Sequence, residues 1–270
     1  MNNTELKAAY VDVLNRIDPA YLQTPELRRG GAKGLSGLFL PTVDETYRSA
    51  KNKVMIIGSE TAGWEPLKVA GKYFDYESVE HYVEASMRKH QDFFAKEIRK
   101  KRPDRGHTFH NFVRNVASVT DKNGLIYSNL FCFDWRKSSP MKCPEFETVK
   151  HLSQQLLGEQ IRLLKPDYII FANGITSAKQ RREFFPVGEG TRCTDTKSYL
   201  GIAPAHYLWE FILDKTIRCY RVHHPSARHK MASIGRAGAI TLLARSIEAR
   251  ACSPSSTAVV RVWRDSNPCR

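Results

Sequence analysis

Four short stretches, Val54 to Ile57, Leu125 to Asn129, Tyr168 to Ala172 and Ile217 to Val222, constrain the fold of this chain more than any other feature. Each has the length of a strand and is rich in apolar residues, as expected of strands buried on both faces of a parallel sheet. Between them the period changes. Val79, Tyr82, Val83, Met87, Phe94 and Ile98 recur at helical spacing, as do Phe109, Phe112, Val113 and Val116, and then Phe146, Val149, Leu152, Leu156, Ile161 and Leu164. Strands separated by helices require right-handed crossovers. The expected fold is therefore α/β, a three-layer sandwich with a central four-stranded parallel sheet flanked by helices.

Leu6, Tyr10, Leu14 and Ile17 predict a first helix over residues 4–17, ended by Pro19, and Ile240, Leu243 and Ile247 predict a closing one. A length of 270 residues suits one domain, assigned to residues 1–250. From Ala251 the text ACSPSSTAVVRVWRDSNPCR loses periodicity, and residues 251–270 are read as a disordered or foreign tail. No apolar run approaches the roughly 18 residues of a membrane span, and the charged N-terminus lacks the apolar core of an export signal. Six cysteines without a CxxC pair read as reduced thiols. A cytoplasmic, monomeric protein with no membrane contact is expected.

Lysine and arginine outnumber aspartate and glutamate 42 to 28, a net charge of +14, so the chain attracts polyanions. Nucleic acid is the favoured partner. The basic loop from Arg28 to Gly37 lacks the order of a triphosphate-binding loop, but Lys33 and its neighbouring amides suit a phosphodiester, the alternative being a plain surface loop. Arg181 and Arg182, and the run from Arg99 to Arg102, extend such a track or serve as solvated helix ends.

In an open parallel sheet, ligands bind beyond the carboxyl ends of the strands. There the chain places Gly58-Ser59-Glu60-Thr61-Ala62-Gly63-Trp64, Ser128-Asn129, Asn173-Gly174, and His223-His224-Pro225-Ser226-Ala227-Arg228. A carboxylate, a carboxamide and an imidazole are thereby expected in one crevice. No cysteine or carboxylate completes a ligand set around His107 and His110, so no metal and no cofactor is expected.

In order and spacing, VMIIGSETAGW, LIYSNLF, LLKPDYIIFANG and RVHHPSAR resemble the motifs of the uracil-DNA glycosylase superfamily, over about residues 50–245. The resemblance implies that Glu60, two places after Gly58, activates water, where the uracil-specific branch has aspartate. It implies that Asn129 reads the base and that His224, in a His-Pro-Ser motif, stabilises the anion on the departing base. Gly58, Ser59, Thr61, Ala62, Trp64 and Phe74 are the candidate base pocket, and Ser226 and Arg228 join Lys33, Arg181 and Arg182 as candidate DNA contacts. The stacking phenylalanine of the family has no unique counterpart among Trp64, Tyr73 and Phe74, and its wedging leucine falls near Arg228. No cysteine precedes Cys132, which argues against the iron–sulfur cluster of another branch.

One departure bears on the substrate. The uracil-specific branch follows its aspartate with Pro-Tyr, whose ring excludes groups at C5, whereas this chain has Thr61-Ala62-Gly63. An open C5 side implies a 5-modified pyrimidine, such as a hypermodified cytosine of viral DNA released in antiviral defence. The alternatives are ordinary uracil repair and a non-catalytic binder of damaged or modified DNA. No lysine stands at a strand end for Schiff-base chemistry, so the expected reaction is monofunctional hydrolysis.

Overall fold

The computed structural model describes residues 3–101 and 103–252. In chain order the elements are α1 (Asn3–Leu14), β1 (Val54–Gly58), the small hairpin β2 (Lys68–Val69) and β3 (Lys72–Tyr73), α2 (Val79–Arg99), α3 (Thr108–Ala117), β4 (Leu125–Asn129), α4 (Phe146–Leu164), β5 (Tyr168–Phe171), α5 (Ala178–Phe184), β6 (Cys193–Ser198), β7 (Leu208–Leu213), β8 (Ile217–Val222) and α6 (Lys230–Cys252). Ala251 and Cys252 thus continue a helix, and the rest of the expected tail, residues 253–270, lies outside the described residues. So does Arg102.

The central sheet has six strands in the order β4-β1-β5-β8-β7-β6. The four strands expected from the sequence are adjacent and mutually parallel, with Val54 opposite both Leu125 and Tyr168, and Tyr168 opposite Arg218. The expectation of a four-stranded parallel sheet is nevertheless wrong, because β7 and β6 add antiparallel to β8 and make the sheet mixed. The cause is local. β6 reads CTDTKS and is exposed along most of its length, as a sheet edge can be, so it carries no apolar run. β7 joins β8 through a three-residue connection, Asp214, Lys215 and Thr216, the first two at positive φ, without the asparagine–glycine pair that usually announces a tight hairpin turn.

Alternate side chains of β1 feed two cores. Met55 and Ile57 pack with Leu6, Tyr82, Leu152 and Phe171 on one face, and Val54 and Ile56 pack with Phe112, Val116, Tyr220 and Leu243 on the other. Two-sided burial explains the unbroken apolar text of that strand, and each such fully buried side chain contributes about 1.5–3 kcal/mol. His90, on α2, closes the free edge of β4. Its Nδ1 accepts from the Thr42 amide at 3.2 Å and its Nε2 donates to the Tyr127 carbonyl at 3.3 Å. Burial pushes its pKa down to about 3, so the ring works as a neutral bridge. Among the described residues, no helix is long and apolar enough to cross a membrane.

Candidate active site at the carboxyl ends of the parallel strands

β1 and β4 end side by side. Gly58 pairs with Asn129, and the ladder runs on through Leu130 N–H to the Gly58 carbonyl (3.0 Å) and Phe131 N–H to the Ser59 carbonyl (2.9 Å). Asn129 is 8% exposed, yet its carboxamide has no hydrogen-bond partner among the described residues. The residue is mostly buried but its amide end is open, so a donor and an acceptor stand free for a ligand that supplies both.

Glu60 leaves the sheet just beyond this point and accepts a 2.5 Å bond from the Ser59 hydroxyl. Burial raises its pKa above the ordinary carboxylate value, the Ser59 bond opposes that shift, and the charge of Asp134 adds to it. Asp134 is a residue that sequence reasoning missed. It is 1% exposed, and its Oδ2 accepts from the Thr61 hydroxyl (2.8 Å) and the Gly63 amide (2.7 Å), while Oδ1 accepts from the Lys137 amide (2.9 Å). One carboxylate therefore ties the loop carrying Glu60 to the turn carrying Lys137. Ala62 and Gly63 are exposed, and the Lys137 methylenes lie against Gly63, 3.4 Å from where a β-carbon would stand.

His224 follows the end of β8. Its Nδ1 accepts from the Ser226 amide at 3.2 Å and lies 2.7 Å from the Ser226 hydroxyl. A backbone N–H can only donate, so Nδ1 is unprotonated and the neutral ring carries its proton on Nε2. Burial and the nearby charge of Arg236 lower the pKa of His224 and keep it neutral. A backbone donor thus fixes the tautomer, and Nε2–H becomes the outward donor. Ser226 spends both its amide and its hydroxyl on this ring, so it positions His224 rather than offering that hydrogen to a phosphate. Arg236 braces the same loop through the carbonyls of His224 and Ala227, each at 3.2 Å.

The ring facing these groups is Phe109, in the first turn of α3. It lies parallel to His224 within 17°, centroids 6.2 Å apart, and 3.0 Å from where a Gly58 β-carbon would stand. In the sequence Phe109 is one of four apolar residues at helical spacing, and nothing in that pattern separates a platform from a core residue. The rings named from the sequence sit elsewhere. Trp64 is buried edge-on against Phe39 (5.1 Å) and Phe93 (6.0 Å), and Phe74 packs against His81 (5.9 Å) in a cleft of about 750 Å³ beside α2.

Lys33, Arg182 and Arg228 are exposed, as a DNA contact requires. Arg181 is not: it is 3% exposed, with its guanidinium over the ring of Phe171, and does not belong to a surface track. The fold also supplies the carboxylate that the sequence lacks beside His107 and His110. Ligand atoms of Glu97, His107 and His110 lie within 4.8 Å of one another, a set that could hold a metal ion, although Glu97 is already held by Lys100 at 2.6 Å and Arg114 at 3.2 Å.

No family model and no curated protein matches this chain.

Proposed function

We propose that this chain is a monofunctional DNA glycosylase that flips one nucleotide out of DNA and hydrolyses its N-glycosidic bond. The observation that carries the proposal is the unpartnered carboxamide of Asn129, on a mostly buried residue at a strand end shared with Glu60, Phe109 and a neutral His224. A flipped base needs a stacking face, an edge reader and a donor for the charge that grows on it as it departs. Phe109, Asn129 and the Nε2–H of His224 fill those roles. Glu60 takes a proton from the attacking water, and its raised pKa makes it a stronger base than an exposed carboxylate, while its charge favours an oxocarbenium-like sugar. Flipping costs a few kcal/mol, least for damaged bases, and phosphate contacts from Lys33, Lys137 and Arg228 offset it.

The substrate proposed is a pyrimidine substituted at C5, such as a hypermodified cytosine of viral DNA, which would make the enzyme one of antiviral defence. Exposed Ala62 and Gly63 favour this reading over plain uracil, because small side chains there leave that side of the loop open. The test is mass spectrometry of the bases released from a panel of cellular and viral DNAs. A modified pyrimidine in the supernatant, with abasic sites left in the DNA, is the expected result. Binding to duplex DNA should weaken with a slope of log K against log salt of roughly −0.9 per phosphate contact. No base released from any DNA, together with a flat salt response, would overturn the proposal.

A further inference from the structure

His107 and His110 stand three residues apart, without an acid at ligand spacing in the sequence around them. The fold brings one. Glu97, in the last turn of α2, and the two histidines at the start of α3 place ligand atoms within 4.8 Å of one another. Two ligands on a tetrahedral zinc ion stand about 3.4 Å apart, so closing this set takes movements of about 1.4 Å at most. His107 has that freedom. Its side chain is 48% exposed, and its Nδ1 lies 4.0 Å from the Glu97 carboxylate and 3.8 Å from that of Asp104, too far for a hydrogen bond. His110 is held in place instead, with the rings of Phe93, Phe109 and Tyr127 edge-on to it at 5.0, 5.5 and 5.7 Å. No hydrogen bond among the described residues claims either of its nitrogens, and Nε2 is enclosed.

Positive charge already collects at this point. The Lys100 ammonium bonds Glu97 at 2.6 Å and also Asp104, and Nη1 of Arg114 donates to the Glu97 carboxylate at 3.2 Å and to the Glu97 carbonyl at 3.1 Å. The two cations differ in kind. Arg114 grips backbone and carboxylate together and so orients Glu97, as the outer partner of a metal ligand does. Lys100 is a point charge on a flexible stem, which a divalent ion can displace. We propose that Glu97, His107 and His110 bind a divalent metal ion, with Asp104 or water in the fourth position. Two imidazoles and a carboxylate are a donor set for zinc. The ion takes the place of the Lys100 ammonium and ties the end of α2 to the first turn of α3. Phe109 lies between the two histidines, so the ion also steadies the ring that faces His224. That consequence rests on the proposed function; the site itself does not.

The experiment compares the full wild-type chain with His107→Ala and Lys100→Met, each stripped with EDTA and desalted. Zinc chloride is titrated at fixed pH, with bound zinc per chain measured by equilibrium dialysis and elemental analysis, and Tm followed in parallel. Wild type should take up one zinc ion per chain and gain Tm saturably, as a ligand specific to the folded state requires. His107→Ala removes an exposed ring, so its metal-free Tm should match wild type. Its zinc affinity should fall by more than about 100-fold, beyond the roughly 10–100-fold that loss of a supporting partner costs. Lys100→Met removes the competing ammonium and should bind zinc more tightly than wild type. Zinc held elsewhere, for example by the exposed thiol of Cys252, would bind all three proteins alike. Stripped wild type that takes up no zinc, or equal uptake by wild type and both variants, would overturn the site. Should His107→Ala fail to fold, a tighter Kd in Lys100→Met supports the site and an unchanged one rejects it. Base release is not among the readouts, so the metal site and the glycosylase reading stand or fall separately.

Discussion

Gly58 faces Asn129 so closely that a β-carbon on it would stand 2.5 Å from the Asn129 carboxamide oxygen and 3.0 Å from the Phe109 ring. Both neighbours would have to give: the Asn129 carboxamide, which no hydrogen bond holds, can swing aside, whereas the Phe109 ring is held in the first turn of a helix. Glycine at 58 is therefore a requirement of the site and not of the strand. Gly58→Ala should leave a folded protein, with a Tm within a few degrees of wild type, while base release falls at least tenfold through displacement of Asn129. Near-ultraviolet circular dichroism and a single-turnover assay measure the two effects. Unimpaired release would mean that Asn129 does not need its present position.

Glu60→Gln keeps the size of the side chain and removes its charge. DNA binding should survive while release drops by about 10²–10⁴-fold, the range for a lost general base. The raised pKa of Glu60 carries two signs. The wild-type rate should climb with pH through a midpoint above the ordinary 4.5 of a glutamate, because only the ionised form accepts a proton. Stability runs the other way: folding favours the neutral form, so the contribution of Glu60 is full at pH below its unfolded pKa and is lost as pH rises through its folded one. Glu60→Gln should thus melt higher than wild type at neutral pH. Full activity in Glu60→Gln together with loss of wild-type activity in EDTA would replace this mechanism by metal chemistry.

Ser226→Ala removes the hydroxyl from the Nδ1 of His224 and leaves the backbone donor in place. One net hydrogen bond is worth about 0.5–1.5 kcal/mol, so kcat should fall by roughly 2–10-fold with KM little changed. A serine that held a DNA phosphate would show the opposite split, a raised KM and a shallower salt slope. Steady-state kinetics at two salt concentrations separate the cases.

Ala62 is exposed, on the loop that Asp134 anchors. Introducing a ring there, as Ala62→Tyr, should block release of a C5-substituted base by steric clash while sparing any activity on uracil. Matched duplexes containing uracil, 5-hydroxymethylcytosine and its glucosylated form, with abasic sites revealed by alkali, give the comparison. Wild-type protein that released only uracil, with no change of selectivity in Ala62→Tyr, would return the chain to uracil repair.

The four parallel strands and most of the helices were legible because their periodicity is a local property: burial on both faces imposes apolar text whatever the neighbours are. The common placement of Glu60, Asn129 and His224 was legible for a related reason, since residues that end parallel strands necessarily share one end of the sheet. Tertiary structure alone decided what surrounds them. The polar edge strand β6 carries no apolar signal, because an edge has a solvent side, and so the sheet read as smaller and more uniform than it is. Phe109 and Trp64 are both aromatic, but only packing assigns one to His224 and the other to the core. The same holds for charge. Arg181 and Arg182 are adjacent in sequence and alike in chemistry, yet one is buried and the other exposed, because one turn of helix points successive side chains in different directions and only the fold sets which direction is inward.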